Sequence, residues 1–300
     1  MNRLSILFLS FFIFNVAVAQ EAADTLKHWK KGGDLSISFS QVSFSNWAAG
    51  GKNSVSGVGM FNYSANYSKE RISWDNSLNI GYGLQKEEQR HLIKSEDKLE
   101  LSSKVGYKMT EEGKWFFSGL TNFRTQFADG FNYTDVNNPV RISSLLAPAY
   151  LTFAAGFDYK PTDKFTLFLS PLSSKFTFVA DDDLSAIGAF GVDPGKKFRA
   201  EMGGTLKSEL KFAVAKNVDA VTNLNLFSNY LKNPQNIDVN WDFRLSMKVN
   251  KFLSANLTTN LIYDDDILVP VDLNDDGVVD SKGHRVQLKQ LFGAGLSFKF

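Results

Sequence analysis

Residues 286–300 read VQLKQLFGAGLSFKF, and their alternation decides the fold. Val286, Leu288, Phe292, Ala294, Leu296, Phe298 and Phe300 fall on one parity; Gln287, Lys289, Gly293, Gly295, Ser297 and Lys299 fall on the other. A period of two with an apolar and a polar face describes a strand with different surroundings on its two sides. A soluble strand has no reason to finish on an aromatic carboxyl terminus in phase with its apolar face. A strand of an outer-membrane β-barrel does, because an aromatic there sits at the lipid interface.

Working back along the chain, the same alternation recurs. Ile72, Trp74, Leu78, Ile80, Tyr82 and Leu84 stand against Ser73, Asp75, Ser77, Asn79, Gly81 and Gly83. Phe198, Ala200, Met202, Leu206, Leu210 and Phe212 stand against Arg199, Glu201, Lys207, Glu209 and Lys211. Twelve such segments can be placed, most of them at or above the roughly nine to eleven residues a tilted spanning strand needs. The first covers about 34–45, with a phase slip near Gln41 and Val42 that reads as a bulge; another turns irregular at Pro171, which suits an edge-like bend. Short polar links (68–71, 110–114, 160–164, 215–217, 250–251) alternate with generally longer ones (86–97, 128–148, 180–197, 232–235, 264–285). Short turns at one end and long loops at the other is how these barrels are built. The expected fold is all-β: a transmembrane, antiparallel, up-and-down barrel of about twelve strands, of outer-membrane type. The rival, a soluble sandwich or lipocalin-like barrel, would turn its aromatics inward and show no rule separating short from long loops.

The beginning of the chain agrees with this. Asn2-Arg3, an apolar run over 4–18 and the small residues Ala17-Val18-Ala19 make residues 1–19 a secretory signal peptide, too short for a membrane anchor helix. Residues 20–33 then form a short periplasmic segment and 34–300 the barrel. Removing the leader takes one of the 33 basic residues and none of the 32 acidic ones, so the mature chain is balanced at 32 of each. No charge excess points to nucleic acid. With no Cys and three His, thiol chemistry, disulfides and a His-rich metal centre are excluded. The 27 Phe, 9 Tyr and 5 Trp suit a barrel with aromatic girdles.

Residues 45–56 (SNWAAGGKNSVS) join the first two strands, with Gly50-Gly51 suited to a tight turn and Trp47 to the outer rim. Together with Trp29, Gly32-Gly33 and Phe39-Ser40-Gln41, the words Asn46-Trp47-Ala48-Ala49-Gly50-Gly51 and Asn53-Ser54 resemble an uncharacterised family of Gram-negative envelope proteins known only as a domain of unknown function. The resemblance continues at Ser170-Pro171-Leu172, Lys175-Phe176-Thr177, Tyr263-Asp264-Asp265-Asp266 and from Leu288-Lys289 to Phe300. It implies an outer-membrane barrel with no activity or catalytic residues to carry over. A terminal Phe is similarly a family-level mark read by barrel-assembly machinery, which makes that machinery, through Phe300, an expected partner beside outer-membrane lipid.

Residues 272–280, DLNDDGVVD, place oxygen donors as a calcium loop does: Asp272, Asn274, Asp276, the Val278 carbonyl and Asp280, with Gly277 at the turn. Gly283 stands where an EF-hand has its bidentate Glu, and no helices flank the loop. A structural calcium site completed from Asp264, Asp265 or Asp266 and a solvated acidic turn both fit. The triplet Asp181-Asp182-Asp183 lacks such spacing. The alternating charges of Lys104, Arg199, Glu201, Lys207, Glu209, Lys211 and Arg244 line a pore or cross-link a filled lumen; twelve strands lie between those that enclose only side chains and those that leave a channel.

His91 and His284 fall in loops with no Ser or acid placed beside them by a motif, so no catalytic set emerges. The reading is a non-enzymatic outer-membrane barrel with periplasmic termini, a passive conduit or binding protein for small solutes or lipidic ligands. A structural or interaction barrel with partner-binding loops is the alternative, and a rim hydrolase a distant third. Solute, partner and oligomeric state are not encoded in any motif.

Overall fold

The computed structural model describes residues 28–43, 53–87, 91–133, 138–267, 269–271 and 280–300. Twelve strands form one closed antiparallel wall: β1 (Trp29–Val42), β2 (Ser54–Lys69), β3 (Ile72–Glu87), β4 (Ile93–Lys108), β5 (Trp115–Thr125), β8 (Ala149–Thr162), β9 (Phe165–Phe178), β10 (Phe198–Ala215), β11 (Val218–Asn229), β12 (Ile237–Lys248), β13 (Leu253–Tyr263) and β16 (Gln287–Lys299). Two hairpins lie in the long loops and outside the wall, β6 (Gly130–Asn132) with β7 (Val140–Ser143) and β14 (Val269–Val271) with β15 (Ser281–Gly283). Each wall strand pairs with its neighbour in the chain, and β16 returns to β1. This is an up-and-down outer-membrane barrel, the architecture that lets every backbone group in hydrocarbon find a partner. No helix among the described residues is long and apolar enough to cross a membrane.

Register makes the alternation continuous around the wall. Leu78 lies opposite Leu101, Leu101 opposite Phe123, Phe123 opposite Leu151, and Leu151 opposite Phe176. This apolar row faces outward, as do Trp74, Phe117 and Phe292, which are 40%, 57% and 62% exposed in the isolated chain. Phe243 shares the outward row and stacks on Trp241 at 6.1 Å. The opposite parity carries Lys104, Arg199, Glu201, Lys207 and Arg244 inward. A one-residue slip would set those charges in lipid at about 2–4 kcal/mol each near the midplane, so the phase is strongly fixed.

Three expectations about local structure are revised. The barrel begins at Trp29, not at residue 34: residues 29–33 pair with residues 63–67 of β2. The supposed slip near Gln41 is absent, since β1 and β2 keep one register from Trp29 opposite Tyr67 to Val42 opposite Ser54. Pro171 is not at an edge. It sits in a β9 bulge between Ser170 and Leu172, flanked by β8 and β10 on both sides. The Ser170 hydroxyl bonds the Ala155 and Leu172 carbonyls, both at 2.8 Å, and stitches the irregularity shut. Across from it Gly156 is required, because a Cβ there would stand 2.1 Å from the Leu169 carbonyl oxygen.

The seam between the first and last strands is short. β1 and β16 pair from Asp34 opposite Lys299 to Phe39 opposite Ala294 and no further. Phe300 extends it by one step: Gly33 N donates to the Phe300 carbonyl at 2.9 Å and Phe300 N donates to the Gly33 carbonyl at 3.1 Å. Its ring stacks on Phe61 and Tyr63. The terminal aromatic is therefore a closing element of the wall as well as an interface residue.

Candidate functional site

The lumen is the site, and its two halves differ. Along β4, β5, β8 and β9 it is filled. Asp158, fully buried, lies 2.8 Å from the Lys104 ammonium and 3.4 Å from that of Lys160. Lys160 also donates to Ser73 Oγ at 2.9 Å and bonds Asp75 of β3. Buried charge persists only where it is paired, and here one carboxylate holds two ammonium groups. Below them Leu120, Ala154 and Phe168 form a small apolar core inside the barrel. Lys104 sits 5.7 Å over the Phe168 ring and Lys160 5.1 Å over that of Phe116, so the cations also lie against aromatic faces.

At the loop end a girdle of ion pairs crosses several strands. Lys175 of β9 lies 3.0 Å from Asp238 of β12, 3.7 Å from Glu201 and 3.8 Å from Asp264. Arg199 joins Glu201 at 2.7 Å and also binds Asp266, to which Lys232 adds a contact at 3.0 Å. Burial pushes the Asp266 carboxyl up, but hydrogen bonds from Arg199 and Lys232 outweigh it and hold the group below the usual carboxylate value. On the other side Lys289 of β16 reaches Glu96 of β4 at 2.7 Å, spanning the width of β1, β2 and β3.

The half lined by β1, β2, β11, β12, β13 and β16 is hollow. Ser36, Ser38, Ser246 and Asn256 face a cavity of about 190 Å³. That is room for on the order of a dozen waters, and less than the roughly 300–1,000 Å³ of a drug-sized pocket. Its acids are engaged: Asp34 accepts from Asn62 Nδ2 at 2.9 Å and Asp219 pairs with Lys248 at 3.1 Å. Of its cations, Lys299 lies opposite Asp34 in the ladder, whereas Arg244 makes no ion pair among the described residues.

The long loops are anchored to the rim. Asp97 accepts from the backbone N–H groups of Phe127 and Ala128, both at 3.0 Å, and pairs with Lys94 at 2.7 Å. Lys94 in turn donates to the Ala128 carbonyl at 2.7 Å. The next long loop holds a short helix, α1 (Asp182–Ala186), capped by the Asp181 carboxylate, which accepts from Leu184 N at 3.0 Å. Leu184, Val179, Val192 and Ala147 form a buried cluster that joins this loop to the end of the preceding one.

Of the candidate calcium ligands, Asp272, Asn274, Asp276 and Val278 lie outside the described residues, and Asp280 immediately precedes β15. Pairing of β14 with β15 brings the two ends of that loop together. Among the described residues no group of three His, Cys, Asp or Glu could hold a metal. His91 stacks on Tyr133 at 5.2 Å, and His284 Nδ1 is 3.9 Å from Asp265. The strand alternation placed Arg199, Glu201 and Arg244 correctly but did not single out Asp75, Asp158 or Lys160, nor the serine wall. Serine at every second place from Ser36 to Ser40 was the available sign of the latter.

Residues 39–131 match the model of a family described as protein of unknown function (DUF3078). The match runs from Phe39 in β1 through β2, β3, β4 and β5 into β6, and stops before the Pro171 bulge, the acidic triplet and the last strand. No curated protein matches the chain. Among solved structures the chain is similar to the translocator domain of autotransporter NalP from Neisseria meningitidis, at 8% identity and a TM-score of 0.40, covering 91% of this chain and 88% of that one. It is also similar to an outer membrane channel from Pseudomonas putida F1, at 10% identity and a TM-score of 0.39, covering 91% and 96%.

Proposed function

We propose that this protein is a non-enzymatic barrel of the outer membrane that holds and passes small solutes or lipidic ligands. The observation that carries the reading is the hollow half of the lumen. Short serine and asparagine side chains leave it open, where the opposite half is closed by paired charge and aromatic rings. On this reading the leader is cleaved on export, the termini face the periplasm, the long loops face outward, and Phe300 serves the assembly machinery. The narrow cavity and the strut from Lys289 to Glu96 favour small cargo. The test is single-channel recording in planar bilayers. Purified protein should give small, ohmic steps, and Lys289→Ala should enlarge them by removing the strut.

A second reading rests on the apolar cluster of Ala147, Val179, Leu184 and Val192, which gives two long loops a core of their own. Such a built crown suits an interaction surface. Silent bilayers with correctly folded protein would overturn the conduit and leave the crown as the functional part.

A further inference from the structure

The cavity in the hollow half lies against the seam between the first and last strands. Its lining includes the inward-facing Ser38, Ser40 and Gly293 and also Phe39 and Phe292. Those two rings belong to the lipid-facing row, each 62% exposed. The ladder beside them is incomplete. Pairing of β1 with β16 ends at Phe39 opposite Ala294, yet β1 continues to Val42, and β16 extends back to Gln287 along β13. Residues 40–42 and 291–293 are thus strand residues that face each other across the seam without pairing. On the inner side Gly293 comes close to Ser38, and beyond them Ser40 and Leu291 face the cavity.

Behind this unpaired stretch stands Arg244 on the inner face of β12, a cation of the cavity that makes no ion pair among the described residues. A guanidinium offers a planar fork of donors suited to carboxylate or phosphate. An unpaired stretch of wall between lipid-facing rings, backed by a guanidinium with no ion pair among the described residues, fits one kind of molecule. We infer that the protein takes amphipathic organic anions with a single short apolar tail sideways from the membrane, through the unpaired stretch between β1 and β16, with the anionic head on Arg244. This rests on the conduit reading and names its cargo and its route.

The test uses the full-length protein in nanodiscs and radiolabelled decanoate, with empty nanodiscs subtracted. Decanoate should bind saturably. Arg244→Gln should weaken it about tenfold, the value of one charge-assisted contact, while Arg244→Lys retains most of it. Val42→Cys/Leu291→Cys places the chain's only two cysteines on facing sides of that stretch. The oxidised pair should lose binding and dithiothreitol should restore it. Decyltrimethylammonium, with the same tail and opposite charge, should not compete, nor should acetate, which has the head without the tail. Competition by either, unchanged decanoate binding in the oxidised or Gln variant, or no saturable binding at all overturns the inference. Heat-modifiable migration on gels verifies that each variant is folded. If bilayer conductance survives while decanoate fails, only the lateral route is lost; if conductance is absent as well, the conduit reading goes with it.

Discussion

The wall made by β4, β5, β8 and β9 and the wall made by β1, β2, β12, β13 and β16 belong to one hydrogen-bonded ladder and present the same kind of apolar face to lipid. They differ in what points inward. One side presents Lys104, Asp158, Lys160, Leu120 and Phe168, which meet and fill the space. The other presents Ser36, Ser38 and Ser246, which are too short to fill it. Strand number sets the barrel's girth; inward side-chain volume decides how much of it stays open.

The largest effect should come from breaking the filled side. Asp158→Ala leaves Lys104 and Lys160 buried without their shared carboxylate and should cost about 3–5 kcal/mol, read as the urea midpoint in detergent micelles. Ser246→Ala in the hollow half should stay within about 0.5 kcal/mol. Equal losses at the two sites would abolish the contrast.

Deleting Phe300 comes next, because it removes two backbone hydrogen bonds and a stacked ring from the seam. A loss of about 1–3 kcal/mol is expected from two net hydrogen bonds, together with reduced insertion and periplasmic accumulation at matched expression. Wild-type yield and midpoint would show that the seam does not depend on it.

Ser38→Phe sharpens the comparison from the other direction. By filling the hollow half it should lower single-channel conductance by about half, an order-of-magnitude expectation from the narrow cavity, with little change in the urea midpoint. Undiminished conductance would mean that ions cross elsewhere.

The smallest effect concerns the girdle above both halves. Asp266 is held below the usual value of about 3.9, so its latch to Arg199 and Lys232 contributes fully above that value and is lost as pH falls through the lowered one. Pepsin cleavage near residues 264–267 should therefore rise only at strongly acid pH. Asp266→Asn should be cut at a rate less dependent on pH, after correction for pepsin's own profile. A wild-type loop that loosens between pH 7 and 5 would contradict this.

The outward row was legible because lipid imposes it strand by strand, and the alternation of short and long links gave both the strand count and the shared end of the termini. Azimuth was not legible. Periodicity says that Asp75 points inward and leaves Lys160 in a short polar link, but not that closure brings the two together from places 85 residues apart in the chain. The same limit hid the partnership of Lys289 with Glu96. The true start of β1 was missed because Trp29-Lys30-Lys31-Gly32-Gly33 has no alternation. Its glycines answer a different requirement: a Cβ at Gly33 would lie 2.7 Å from the Phe300 ring. Pro171 read as a break because a bulge looks like one until both flanking strands are seen.

The seam also sets an order of events. β1 is made before its partner β16, so during synthesis one side of β1 waits as a bare template for any other strand. Long-range pairings of this kind form late and leave intermediates exposed. Lys30, Lys31 and the Gly32-Gly33 pair stand at the start of that edge, where charge and missing side chains make a poor surface for a stray strand to zip onto. The least strand-like words in the barrel are thus suited to protecting its most vulnerable edge from misassembly.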